Sequence, residues 1–125
     1  MNIRIEFIPA KEQRYPTIGD WYFDAAGDLV IRVSKDDPQF PTEDEQILVA
    51  VHELVEVLLC RKRGITQQMV DDFDIHSAGS EYCQKNGIQP GDHPDAPYRR
   101  EHRFAMLIEH LMARELGIDG YGIVA

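Results

Sequence analysis

Residues 2–8 alternate in character, with Ile3, Ile5 and Phe7 on one side and Arg4 and Glu6 on the other. That is the period of a half-buried strand, and Pro9 ends it. A second alternating stretch, Trp21–Ser34, predicts a hairpin. Trp21 and Phe23 share one face, and Leu29, Ile31 and Val33 share a face of the returning strand. Asp24–Asp28 supplies the turn, with Gly27 free to take a positive φ. Asp36–Pro41 carries two prolines and reads as a loop. It leads into Thr42-Glu43-Asp44-Glu45, a capping box that predicts a helix from about Glu43 to Lys62, stopped at Gly64. A second helix is expected from Gln67 to about Lys85, closed by Gly87, with Met69, Val70, Phe73 and Tyr82 as core contacts and its weakest stretch at Ser77–Ser80. A polar loop, Gly87–Pro97, precedes a last helix from about Pro97 to Leu116, ended by Gly117, and Ile118–Ala125 forms a loosely packed tail. Strand, hairpin and three helices make an α+β fold, helices on one side of a small antiparallel sheet.

At 125 residues, the chain is expected to be a single domain spanning 1–125 that buries its own core. A hydrophobic fraction of 43% and a charged fraction of 28% are those of a globular protein. No apolar run is long enough to span a bilayer, so no membrane partner is expected, and the N-terminus lacks the pattern of a secretory signal. Cys60 and Cys83 have no metal or disulfide-framework spacing and read as reduced thiols of a cytoplasmic protein. The formal net charge is −9, which disfavours a nucleic-acid partner and leaves a basic partner or a metal cation as the natural complements.

The first long helix carries candidate chemistry. In Val51-His52-Glu53-Leu54-Val55-Glu56, His52 and Glu56 are four apart and stack on one helix face, with Glu53 beside them. Around them lie Ile47, Leu48, Val51, Leu54, Val55, Leu58 and Leu59. Two ligands at i and i+4 on a rigid helix can reach one metal ion, and a carboxylate following the first ligand can take a proton from the activated water as it attacks a carbonyl. The familiar form is H-E-x-x-H; here Glu56 stands at the second ligand position. The competing reading is a solvated helix face.

The last helix offers the third ligand. Phe104, Ala105, Ile108, Leu111 and Met112 predict its apolar face, Glu101 falls near the middle of that face, and His102 and Glu109, seven apart, share an edge. His102 would complete a set of two His and one Glu, with Glu101 as competitor for that place. The alternative is structural: Glu101 paired with an arginine in the first turn of this helix and His102 with Glu109. Asp71, Asp72, Asp74 and His76 read as a solvated acidic face or as outer groups orienting a ligand. Asp92-His93-Pro94-Asp95 reads as a turn and N-cap first and a metal contact second, His110 as exposed, and Cys60 as a buried thiol first and a thiolate ligand second.

Strand, hairpin, proline-containing loop and the run Thr42-Glu43-Asp44-Glu45-Gln46 followed by Val51-His52-Glu53-Leu54-Val55-Glu56-Val57-Leu58-Leu59 resemble the core of a compact zincin-type metallopeptidase. Arg103-Phe104-Ala105 with Leu111-Met112 resembles the third-ligand helix of the ImmA/IrrE-like peptidases of phages and mobile elements. The resemblance spans roughly Leu29 to Met112 and is specific at His52–Glu56. It implies a zincin-like fold, a divalent metal, zinc foremost, with His52 as first ligand and Glu53 as catalytic base, and a peptide or protein substrate. Glu56 falls where the family has its second His, and Glu101 or His102 falls near the family's third ligand. Two other functions remain open: a non-catalytic acidic binding or regulatory protein on a degenerate zincin fold, and a magnesium-dependent nucleotide pyrophosphohydrolase of the all-helical type, against which the N-terminal strands argue.

Overall fold

A computed structural model of the chain describes residues 1–76 and 78–121, and for 78–80 the backbone alone. The architecture is α+β. Strands β1 (Ile3–Ile8), β2 (Gly19–Phe23) and β3 (Leu29–Ser34) are followed by helices α1 (Glu43–Lys62), α2 (Gln67–Asp71), α3 (Ala78–Asn86) and α4 (Arg99–Glu115). Among the described residues no helix is long and apolar enough to cross a membrane.

The sheet order is β1-β3-β2. β2 and β3 form the expected hairpin, with Trp21 opposite Ile31. β1 lies along the other side of β3 in parallel, Ile5 opposite Ile31, so the sheet is mixed where an antiparallel one was expected. Alternation assigns the faces of β1 but carries no information about the direction of its neighbour. The stretch 9–18 takes the chain from one edge to the other, and β3 enters between the two earlier strands. Leu29, Ile31 and Val33 meet Val49 and Val57 of α1 in a core completed by Trp21 and Phe40.

Local signals place α1. The Thr42 hydroxyl accepts the Glu45 amide at 3.2 Å and donates to the Glu45 carboxylate at 2.7 Å, a cap contributing about 1 kcal/mol. At the other end Gly64 takes φ 73°, which lets the Ile65 amide return to the Cys60 carbonyl at 2.9 Å.

The expected second helix is divided. α2 runs into a π-helical turn, Asp72–His76, and α3 follows. The wide turn swings Asp74 inward, where the hydroxyls of Tyr98 (2.6 Å) and Tyr15 (3.0 Å) donate to it. Val70 is buried and Phe73 packs on the core, whereas Met69 and Tyr82 are exposed. Ser77 lies outside the described residues. α4 starts at Arg99, later than expected, because Tyr98 is its cap residue. In the tail, Ile118 packs on the core and Tyr121 is buried; residues 122–125 lie outside the described ones.

Burial of the two long helices follows their apolar periodicity only in part: on α4 Ala105 and Glu101 are buried as expected and Ile108 is half-buried. On α4, Phe104, Leu111 and Met112 are exposed, while Glu101, His102, Ala105, Glu109 and Ala113 are buried. On α1, His52, Glu53 and Glu56 are buried, and Ile47, Leu54 and Leu58 face outward. The polar stripe of α1 is therefore no solvated face: α1 and α4 pack with their polar residues toward each other. Such burial is tolerable because His52, Glu56, His102 and Glu109 hydrogen-bond one another across the contact and Arg63 pairs with Glu101.

Candidate metal centre

Three side chains from two helices converge. His52 Nε2 lies 3.1 Å from Glu56 Oε2 and 3.2 Å from His102 Nδ1, and His102 Nδ1 lies 3.0 Å from Glu56 Oε2. The three residues are 3%, 4% and 3% exposed for His52, Glu56 and His102. The i, i+4 spacing on α1 stacks the first two, and α4 brings His102 across.

Each of the three is held from behind. The other nitrogen of His52, Nδ1, donates to Glu109 Oε1 at 2.7 Å. The outer nitrogen of His102, Nε2, sits 3.2 Å from Asp92 Oδ1, a charge contact without hydrogen-bond alignment. The remaining oxygen of Glu56, Oε1, accepts the Trp21 indole N–H at 3.0 Å. Carboxylates behind imidazoles fix ring orientation and raise ligand basicity, the usual support of metal-bound histidines.

Burial pulls the His52 and His102 pKa values down, but the surrounding carboxylates, Glu109 and Glu56 for His52 and Asp92 and Glu56 for His102, outweigh it and both are raised. Burial alone would raise Glu56; hydrogen bonds from the two histidines bring it down to about 2. Two ring nitrogens and a carboxylate oxygen face one another, an arrangement that either protons on the rings or a cation can hold together. The triangle they form has edges of 3.0, 3.1 and 3.2 Å, close to the ~3.3 Å separating ligands of a tetrahedral ion with bonds of ~2.0–2.1 Å. This buried group can hold a metal ion. The chain matches no family model, no curated protein and no solved structure.

Glu53 occupies a different position. It projects beside β2, so close to Gly19 that a side-chain carbon there would collide with its carboxylate. Glu53, Glu56, His102, Asp74, Tyr98 and Gly91 share a cavity of ≈30 Å³, room for about two water molecules. Burial, and next the charge of Glu56, raises the Glu53 pKa well above the carboxylate range. Burial likewise pushes Asp74 up to about 7 against the lowering effect of its two tyrosine partners.

Gly91 packs directly on the His102 ring, where any Cβ would overlap the imidazole. Gly91→Ala is therefore expected to displace His102 Nδ1 and to weaken the binding of any divalent metal held by the group by about 10–100-fold, the range seen when groups around a metal site are disturbed. Competition with a chromophoric chelator checks this.

Of the residues singled out from sequence, His52, Glu56 and His102 come together and Glu53 lies beside them. Glu101 does not: it bonds Arg63 Nη1 at 2.6 Å and faces away from the group. An arginine does pair with Glu101, but it is Arg63 at the end of α1 and not one in the first turn of α4, and Glu109 pairs with His52 where His102 was the expected partner. Asp71 pairs with Arg14 at 2.9 Å, Asp74 is buried, and Asp72 and His76 are exposed. His110 is exposed and Cys60 is a buried free thiol. The sequence shows no sign of Trp21 and Gly91 as site residues, because nothing in their local pattern points at α1; Asp92, whose second reading was a metal contact, instead stands behind His102. The seven-residue spacing of His102 and Glu109 was the available signal for Glu109, which serves the opposite histidine.

Proposed function

We propose that the protein is a metal-dependent hydrolase of peptide or related carbonyl substrates, with zinc held by His52, Glu56 and His102 and Glu53 as general base. The observation that carries this reading is the convergence of three ligand atoms at 3.0–3.2 Å with each ligand braced by an outer partner. Two histidines and a glutamate are a zinc donor set, and the resemblance of His52–Glu56 to the zincin motif supports hydrolysis. When bound, the ion supplies Lewis acidity, acidifying water and polarising a carbonyl. Glu53 would take the proton at its carboxylate and pass it to the leaving group. Glu56 stays ionised, and Trp21 keeps its second oxygen turned away from the centre.

Tyr15, Thr17, Gln89, Pro90 and Gly91 line the cavity beside Glu53. The burial of Asp74 and the pairing of Asp71 weaken the rival reading of an acidic docking face, and the three strands speak against an all-helical pyrophosphohydrolase. The two buried free thiols suit the reducing conditions of the cytoplasm.

Glu53→Gln is expected to leave zinc affinity within a few-fold of the parent and to lower hydrolysis by about 10²–10⁴-fold, the usual contribution of a general base. The measurement is cleavage of a broad peptide library by zinc-loaded protein. Cleavage that survives the substitution, or zinc-loaded parent without activity, refutes the reading.

A further inference from the structure

The face of α1 opposite the metal ligands is an unpartnered apolar ridge. Leu58 is 61% exposed, Ile47 49% and Leu54 37%, and Val51, half-buried, lies among them. At 100° per residue these four fall on one stripe. Monomers rarely leave such a stripe open. β1 borders it: Ile3, Ile5 and Phe7 are exposed, and Phe7 and Ile47 line a common groove of ≈370 Å³.

The ridge is self-complementary. Turned antiparallel about the midpoint between His52 and Glu53, two copies of α1 set Ile47 against Leu58 of the second copy and Val51 against its Leu54. The same operation sets the acidic first turn, Glu43 and Asp44, against the basic last turn, Arg61 and Lys62, of the other copy. Glu43 and Arg61 flank one edge of the stripe, Asp44 and Lys62 the other, because eighteen residues make five whole turns. All four charged residues are exposed, and among the described residues none of them makes an ion pair within the fold.

We propose that the protein forms a two-fold homodimer through antiparallel packing of the outer face of α1, with opposite charges matched at both ends. This is an isologous contact, and the metal ligands, on the opposite face, stay clear of it. A helix ~30 Å long with the β1 strip beside it buries on the order of 600 Å² per copy, somewhat below the ~800 Å² of a standard interface. A dissociation constant of about micromolar order is expected.

Sedimentation equilibrium at low salt tests the proposal. The parent should move from the 14.3 kDa chain mass toward twice that value as concentration rises. Leu58→Asp should remain a monomer. A variant carrying Glu43→Lys and Asp44→Lys should dimerise at least tenfold more weakly, as should one carrying Arg61→Glu and Lys62→Glu. Mixing the two variants should restore the dimer, because each then meets opposite charge at both ends. Both variants oppose the helix dipole, so loss of helix stability cannot produce that recovery; circular dichroism confirms that each is folded. A parent that stays monomeric at the highest concentration, a dimer indifferent to Leu58→Asp, or variants that fail to recover on mixing overturns the proposal.

Discussion

His52→Ala is expected to abolish tight zinc binding and to destabilise the metal-free protein as well. The substitution removes Nε2 from the triangle and also takes away the ring N–H that Glu109 accepts at 2.7 Å. Disturbing a group behind a ligand already costs about 10–100-fold in metal affinity, so removing a ligand itself should cost at least ~100-fold. Leaving a buried carboxylate without its partner costs about 3 kcal/mol, enough to lower the melting temperature by on the order of 10 °C in a chain of this size. Glu109→Gln should be milder on both counts, since an amide oxygen still accepts the ring N–H, and should weaken zinc by about 10–100-fold. Isothermal titration and scanning calorimetry read the two effects separately. His52→Ala with parental zinc affinity would show that the three residues do not act as a metal site.

Acidity should act in opposite directions on the metal-free and zinc-loaded protein. In the metal-free fold His52 and His102 are raised by their carboxylate partners against the effect of burial. A group raised in the folded state contributes stability that is fully present below its unfolded pKa, ~6.5 for histidine, and is lost as pH climbs through the folded value. Glu53, raised by burial, acts in the same sense: the neutral acid suits the fold and its ionisation does not. Glu56, lowered to about 2, stays ionised throughout the neutral range and contributes nothing to the slope there. The melting temperature of the metal-free protein should therefore fall as pH rises from about 6 to about 9. Zinc competes with protons for the same ring nitrogens, so its affinity rises with pH and binding releases protons. Excess zinc should flatten or reverse the fall, because a ligand stabilises the fold in proportion to its affinity. Melting curves across pH, with chelator and with zinc, measure both. A metal-free melting temperature that rises over this window would show that protons do not hold the centre together.

The features readable from residue order were those that close within a few positions. The capping box at Thr42, the stop at Gly64 and the hairpin turn at Gly27 each need only neighbouring atoms, and each appears as expected. His52 and Glu56 were readable for the same reason, since helix pitch alone stacks them. The third ligand was narrowed to two adjacent residues and no further. Adjacent helical positions point about 100° apart, so the rotation of α4 on α1 decides between them. Arg63, at the end of α1, takes Glu101, and His102 is left facing the centre. Periodicity placed Phe104, Leu111 and Met112 on the inner face of α4 and they are exposed, because apolar pattern scores transfer from water and is blind to polar groups that neutralise one another across a contact.

Local order in this chain dictates its elements, their caps and a histidine-carboxylate stripe, since backbone geometry and helix pitch are short-range. The parallel placing of β1, the inward turn of that stripe, the choice of His102 over Glu101 and the bracing by Trp21, Asp92 and Glu109 arise when distant segments meet. Those contacts join residues up to 57 positions apart, and their energies belong to the packed helices and sheet together.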